Sequence, residues 1–199
     1  MQEIDPKTLT LAQKGNSEAF TQLVEIYQRP VFNLCYRMLG NPTDAEDAAQ
    51  ETFLRAYKSI KHFDNRHPFP TWLLSIAAHF CIDQIRKRRM NIVSMEDMAG
   101  MEISDSVPGP EATLSRVEEQ RRIRALLDNL DPVDRAAVVM YYWYDLSYEE
   151  ISAALSLTIS AVKSRLHRAR SAMAQRWIDQ PALAQSVERT RHAERSPVF

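Results

Sequence analysis

Ser160, Lys163, Ser164, His167, Arg168 and Ser171 can all donate hydrogen bonds, and all lie between Ile159 and Met173. Wound as a helix at about 100° per residue, they occupy one arc of roughly 140°, while Ile159, Val162, Leu166, Ala169 and Met173 share a stripe about 80° wide. Arg165, Arg170 and Arg176 fall on the flanks. Such a helix has one face to bury and another whose Lys, Arg and Ser donors can reach base edges in the major groove of DNA, with flanking arginines on phosphates. No Asp or Glu occurs over the 28 residues from Ile151 to Ile178, so nothing there repels a polyanion. A merely solvated basic helix would carry similar charge. The preceding residues favour the DNA reader: Ser147-x-x-Glu150 is a capping box opening YEEISAALS, and a turn near Ser156 to Thr158 leads into the basic helix. Two helices joined by so short a turn form a helix-turn-helix.

Two further stretches could carry recognition. Asp44, Glu46, Asp47 and Glu51 make an acidic rim directly before Phe53 and Leu54. Acid beside an apolar patch suits a protein docking site, although a solvated helical face would look alike. The run FPTWLLSIAAHFCIDQIRKRR joins aromatic residues to four consecutive bases, Arg86 to Arg89. Aromatics beside bases can stack unpaired nucleotides while Lys and Arg follow the backbone, yet most of Trp72, Ile76 and Phe80 must be core.

These residues sit in a 199-residue chain with 45% hydrophobic and 26% charged residues and a formal net charge of -1. That near-neutral total conceals alternating charge blocks: acidic over 41–51, basic over 86–89, acidic over 90–115 and basic beyond Lys163. Blocks of both signs suit a protein that meets a polyanion and a second partner. Only 4 glycines, with apolar residues three and four apart, predict an all-α fold. No apolar run reaches membrane-spanning length, and the first residues carry no signal pattern, so a cytoplasmic protein is expected. Cys35 and Cys81 read as reduced, buried thiols. His79-x-Cys81 is the nearest approach to ligand spacing and lacks a second pair, so neither a metal site nor a cofactor is expected.

The elements that must position these residues divide into two small helical domains. Residues 1–92 form the first; 93–114, with Pro108-Gly109-Pro110, a flexible acidic linker; 115–178 the helix-turn-helix domain; and 179–199 a disordered tail. Thr43 is an expected N-cap before DAED, and Asp131-Pro132 supplies a cap and first-turn proline for DRAAVVMYYWY.

DAEDAAQETFLRAY, TWLLSIAAHFCIDQIRKRR and LSYEEISAALSLTISAVKSRLHRAR together resemble the signature stretches of the extracytoplasmic-function (ECF) sigma factors, over about Ala19 to Met173 and in the family's order. YRMLGN and FDNRHPFPTWL resemble most closely the branch that answers envelope stress. The resemblance implies a sigma region-two bundle followed by a region-four helix-turn-helix, and a non-enzymatic role: binding core RNA polymerase, recognising and helping to melt specific promoters, and initiating transcription of a stress regulon. It implies that Asp44, Asp47, Gln50, Glu51, Phe53 and Leu54 meet the polymerase clamp coiled coil, with a further contact to the flap. It assigns Asn65, Arg66 and His67 to capture of a flipped base in the minus-ten element. His79, Asp83, Arg86 and Lys87 would lie beside that single strand, and the basic run adds Arg88 and Arg89. Lys163, Ser164, His167 and Arg168 would read the duplex minus-thirty-five element, with Ser160, Arg165 and Arg170 completing the surface. An anti-sigma factor is an implied partner; a small-molecule substrate is not.

The chain departs from the family pattern at four places. His79 stands where Asn is usual, the loop Asp64 to Pro70 has two prolines and no glycine, Ser156 replaces a turn glycine, and Ala161 replaces a common Thr. Competing readings are a stand-alone helix-turn-helix regulator with a sensor domain, a nuclease or metallohydrolase, and a helical adaptor. The acidic docking helix, the missing ligand cluster and the donor-rich face respectively speak against them.

Overall fold

A computed structural model describes residues 4–96 and 114–179, and every regular element in them is helical. Helix α1 spans Pro6–Gln13, α2 Ser17–Leu39 and α3 Pro42–Ser59, followed by a 3-10 turn at Ile60–His62 and α4 at Phe69–Glu96. The second group is α5 (Leu114–Asp128), α6 (Pro132–Tyr144), α7 (Tyr148–Leu155) and α8 (Ile159–Asp179).

Three helices begin the same way, with Asp or Asn before proline. Asp5, Asn41 and Asp131 accept from amides of the first turn, and Pro6, Pro42 and Pro132 occupy first-turn positions where no amide partner is needed. The expected cap at Thr43 is therefore displaced: Asn41 Oδ1 accepts from the Thr43 and Asp44 amides at 2.8 and 3.3 Å. Helix α1 lies ahead of the first helix expected from periodicity, though Asp5-Pro6 carries the start signal used at Asp131-Pro132. Helix α4 runs to Glu96, beyond the expected boundary at 92, because no Gly or Pro interrupts MNIVSME. The remainder of the expected linker and tail lies outside the described residues.

In the first group α2 lies against α1, α3 and α4. Helix α3 offers Ala45, Ala48, Ala49 and Ala56, small side chains that let its backbone approach, while Leu73, Leu74, Ala77, Ala78 and Ile82 of α4 close the other side. Cys35 and Cys81 meet within this interior as free thiols; hydrogen bonding with Cys35, and then burial, hold the Cys81 thiol above its ordinary pKa. Phe63, Phe69 and Trp72 form an aromatic cluster with ring centroids 4.9 to 5.6 Å apart. In the second group Val138, Val139 and Met140 of α6 pack with Ile151, Leu155, Val162 and Leu166.

The two groups are joined. Their buried side chains form one continuous apolar cluster, with α6 against α2 and α4 and with α7 against α4. Arg135 of α6, 4% exposed, donates to Met38 O at 2.6 Å and to Asp128 at 2.9 Å. It thereby satisfies a carbonyl at the end of α2, where the helix dipole favours a cation. The Tyr144 hydroxyl donates to Pro30 O at 2.6 Å, Arg89 to Leu130 O at 3.1 Å, and Thr71 to Glu150 at 3.3 Å. Gly40, left-handed at φ 77°, ends α2; a Cβ there would lie 2.9 Å from the Arg124 guanidinium, so glycine also lets α5 approach.

Candidate nucleic-acid and polymerase interfaces

The helix-turn-helix is built as its sequence implies. The Ser147 hydroxyl accepts from the Glu150 amide at 3.1 Å, and the Glu150 carboxylate accepts from the Ser147 amide at 2.9 Å. Helix α7 ends at Ser156, which is left-handed at φ 54°. Thr158 Oγ1 then accepts from the Ala161 amide at 3.1 Å and starts α8. Val162, Leu166 and Ala169 are buried, Met173 is half-buried, and Ile159 remains 38% exposed at the helix entrance. Ser160, Lys163, Ser164, His167, Arg168, Arg170 and Ser171 are all exposed. Arg165 is set apart from this surface: it pairs with Asp134 at 2.5 Å and Asp131 at 3.7 Å, fastening α8 to the start of α6.

On α3, Asp44, Asp47, Glu51 and Leu54 recur at three- and four-residue spacing and share a face, with Gln50 and Phe53 on the adjoining flank. Asp47, Gln50 and Leu54 are exposed, Leu54 by 48%. Asp44 pairs with Arg88 at 2.7 Å and Glu51 with Arg55 at 2.7 Å, whereas Phe53 packs against the core. Arg55 in turn lies over the Phe80 ring at 4.9 Å, so this acidic face and α4 are braced together.

The loop before α4 presents Asn65, Arg66 and His67 outward. Asp64 orders it: its carboxylate accepts from the Arg66 amide at 3.0 Å and from the Arg66 guanidinium at 2.5 to 3.0 Å. The Arg66 hydrogen bonds lower the Asp64 pKa to about 2. Asn65 donates to Gln13 Oε1 at 3.0 Å, and Gln13 Nε2 donates to Phe63 O at 2.8 Å. Gln13 of α1 thus props the loop; nothing in its spacing pointed to this, because the partners lie about fifty residues away.

His79, Asp83, Arg86 and Lys87 form an exposed stripe along α4. His79 Nδ1 lies 2.8 Å from Ser75 O. A carbonyl only accepts, so Nδ1 carries the proton and Nε2 faces outward as an acceptor in the neutral ring. The four consecutive bases divide: Arg86 and Lys87 stand outward, while Arg88 and Arg89 are tied to Asp44 and Leu130. Among the described residues no group of three or more His, Cys, Asp and Glu side chains could hold a metal, and no helix is long and apolar enough to cross a membrane.

Comparison with known proteins accords with this arrangement. Residues 23–90 match the family model Sigma-70 region 2, and residues 120–173 match Sigma-70, region 4. The chain is 36% identical over 181 residues to the ECF RNA polymerase sigma factor SigW of Bacillus subtilis, covering 87% of this chain and 96% of the relative. It is 30% identical over 173 residues to the ECF RNA polymerase sigma-E factor of Haemophilus influenzae, covering 83% of this chain and 91% of the relative. Among solved structures it resembles CnrH in complex with the cytosolic domain of CnrY, with a TM-score of 0.66 and 26% identity over 87% of this chain and 96% of that one.

Proposed function

Given that this chain belongs to the ECF sigma factors, we propose that it binds core RNA polymerase, recognises two promoter elements, helps to melt the downstream one and initiates transcription of a stress regulon. It is a transcription initiation factor, and the phosphodiester chemistry belongs to the polymerase. The observation that carries the reading is the pairing of two exposed recognition stripes on one chain: His79 to Lys87 on α4 and Ser160 to Ser171 on α8.

Each stripe has a chemistry suited to its DNA. Lys163, Ser164, His167 and Arg168 present donors at the spacing a major-groove helix uses, and Ser160 and Arg170 extend the phosphate contacts. Arg165 supports this surface from behind through Asp134. Asn65, Arg66 and His67 stand on an ordered loop where an extruded base can be held, with Arg86 and Lys87 along the adjoining backbone. Holding flipped bases stabilises the melted state selectively, which lets binding energy drive strand opening. Arg88 and Arg89 contribute field near that strand, Arg88 while tying α4 to α3 and Arg89 while bracing α4 to the second module. Asp47, Gln50, Glu51 and Leu54 provide the polymerase docking face, ordered by the Asp44–Arg88 pair and by Phe53.

The domain limits that fit are a region-two module ending with α4 and a region-four module from α5 to α8. An anti-sigma factor is the expected inhibitor: the solved relative CnrH is bound to the cytosolic domain of CnrY. The likeness to SigW and sigma-E supports the envelope-stress branch, with activity in the cytoplasm and release from an inhibitor at the inner membrane face. Run-off transcription from a promoter library, with core polymerase and with or without this protein, tests the proposal. The expected result is protein-dependent transcripts sharing two spaced upstream motifs; a core polymerase that neither binds the protein nor initiates would overturn it.

A further inference from the structure

The stretch Tyr141-Tyr142-Trp143-Tyr144 places four adjacent aromatic residues at the end of α6, just beyond the fully buried Val138, Val139 and Met140. Tyr144 turns toward the first module. Tyr141 and Tyr142 turn toward the DNA-reading helix. Tyr141 stacks on Tyr148, the first residue of α7, with centroids 5.5 Å apart and planes at 17°, and Tyr142 meets Tyr141 edge-on at 5.0 Å. Two cations of α8 lie on this shelf. Lys163 Nζ sits 5.6 Å from the Tyr148 ring centroid, and the Arg170 guanidinium sits 5.5 and 5.8 Å from Tyr141 and Tyr142.

Lys163 and Arg170 are seven residues apart, two turns along one face of α8. Both have long side chains that sample many rotamers in water and lose that freedom when they meet a phosphate or base edge. Tyrosine has few rotamers to lose. Tyr148 is itself held by the capping box at its own helix start. Hydrogen bonds from Arg170 and then Tyr141 hold the Tyr148 phenol below the ordinary tyrosine pKa. Tyr141 and Tyr148 are half-buried against the core, whereas Tyr142 is 50% exposed beside the exposed readers of α8.

We propose that the Tyr141–Tyr142–Tyr148 shelf is a positioning device for promoter recognition, holding Lys163 and Arg170 in the orientation in which they meet the upstream duplex. The proposal rests on the reading of α8 as that duplex's reader. Tyr148 and Tyr141 are thus positioning residues that act through the two cations.

The test uses the full-length protein assembled with core RNA polymerase, on a duplex carrying the upstream motif selected by run-off transcription. Tyr148→Phe keeps the ring beneath Lys163 and removes only the hydroxyl. The expected result is binding weakened by about threefold to tenfold, the worth of one hydrogen bond. That loss disappears when Arg170 is already alanine, and the Arg170 Nε–H NMR signal of the free protein changes from ordered to mobile. Tyr141→Phe, which leaves the stack intact, should couple to Arg170→Ala in the same sense. An equal loss from Tyr148→Phe in both backgrounds, or no loss in either, overturns the proposal. If Arg170→Ala and Lys163→Ala themselves leave duplex binding unchanged, the reading of α8 fails and takes the proposal with it.

Discussion

Ser156 closes the turn of the helix-turn-helix in the left-handed conformation, at φ 54° and ψ 45°. An L residue with a Cβ is strained there and glycine is not, so Ser156→Gly should raise stability by about 1 kcal/mol, read as a higher melting temperature with upstream binding unchanged. Asp64 gives a pH-dependent prediction. Its folded pKa is lowered from 3.8 to about 2 by the Arg66 hydrogen bonds, so the loop contact is fully present above the unfolded value and lost as pH falls through about 2. The Arg66 Nε–H signal and the Asn65 side-chain amide signals should hold their native positions through pH 4 and shift only below it. Asp64→Asn should shift them at neutral pH. Ser156 was legible as a departure at a turn. The Asp64 clasp was not, because a carboxylate two residues before an arginine is common and only the chain path brings them together.

Helix α8 serves two purposes with neighbouring side chains, and they are separable. Arg165 reaches Asp134, 13% exposed at its side chain, whereas Lys163 stands on the outward face. Arg165→Ala should destabilise the second module by about 1 to 2 kcal/mol in urea unfolding, since it removes a charged hydrogen bond in a partly dry site. Lys163→Ala should leave unfolding unchanged and weaken duplex binding with a smaller salt slope. If Lys163→Ala destabilises as much as Arg165→Ala, the division of roles is wrong. A helical wheel placed Arg165 on the flank but could not say what that flank touches. The opposite holds for the helix starts. Capping boxes and X-Pro pairs are local, so α6 and α7 could be read directly, while α3 began at Asn41 because an amide side chain just before proline reaches two free amides.

Taken whole, the chain is closed on itself, with α6 and α7 seated on α2 and α4. In the proposed function α8 meets a duplex motif and the 64–67 loop a melted one, so the strength of the seam sets how freely the two modules can adjust to one promoter. Tyr144→Phe and Thr71→Val each delete one hydrogen bond across the seam and leave each module's interior intact. Together they should weaken closure by about 2 kcal/mol, or about thirtyfold in the ratio of closed to open forms. Energy transfer between dyes on the two modules should then fall at lower urea than in the parent protein. Unshifted curves would show that these bonds do not hold the modules together.

By itself the sequence determined the helical class, the two modules, the helix-turn-helix and the charge-segregated faces, because each depends on periodicity, capping or charge within a few turns of chain. Tertiary structure alone decided which predicted readers face outward and which are engaged within the protein. Arg86 and Lys87 stand outward while Arg88 ties α4 to α3 and Arg89 braces the seam, Arg165 supports the face it was expected to join, and Gln13 props a loop about fifty residues away. It also decided that the modules share one core. Those outcomes depend on hydrogen bonds and ion pairs between residues distant in sequence, whose energies exist only once the helices have packed.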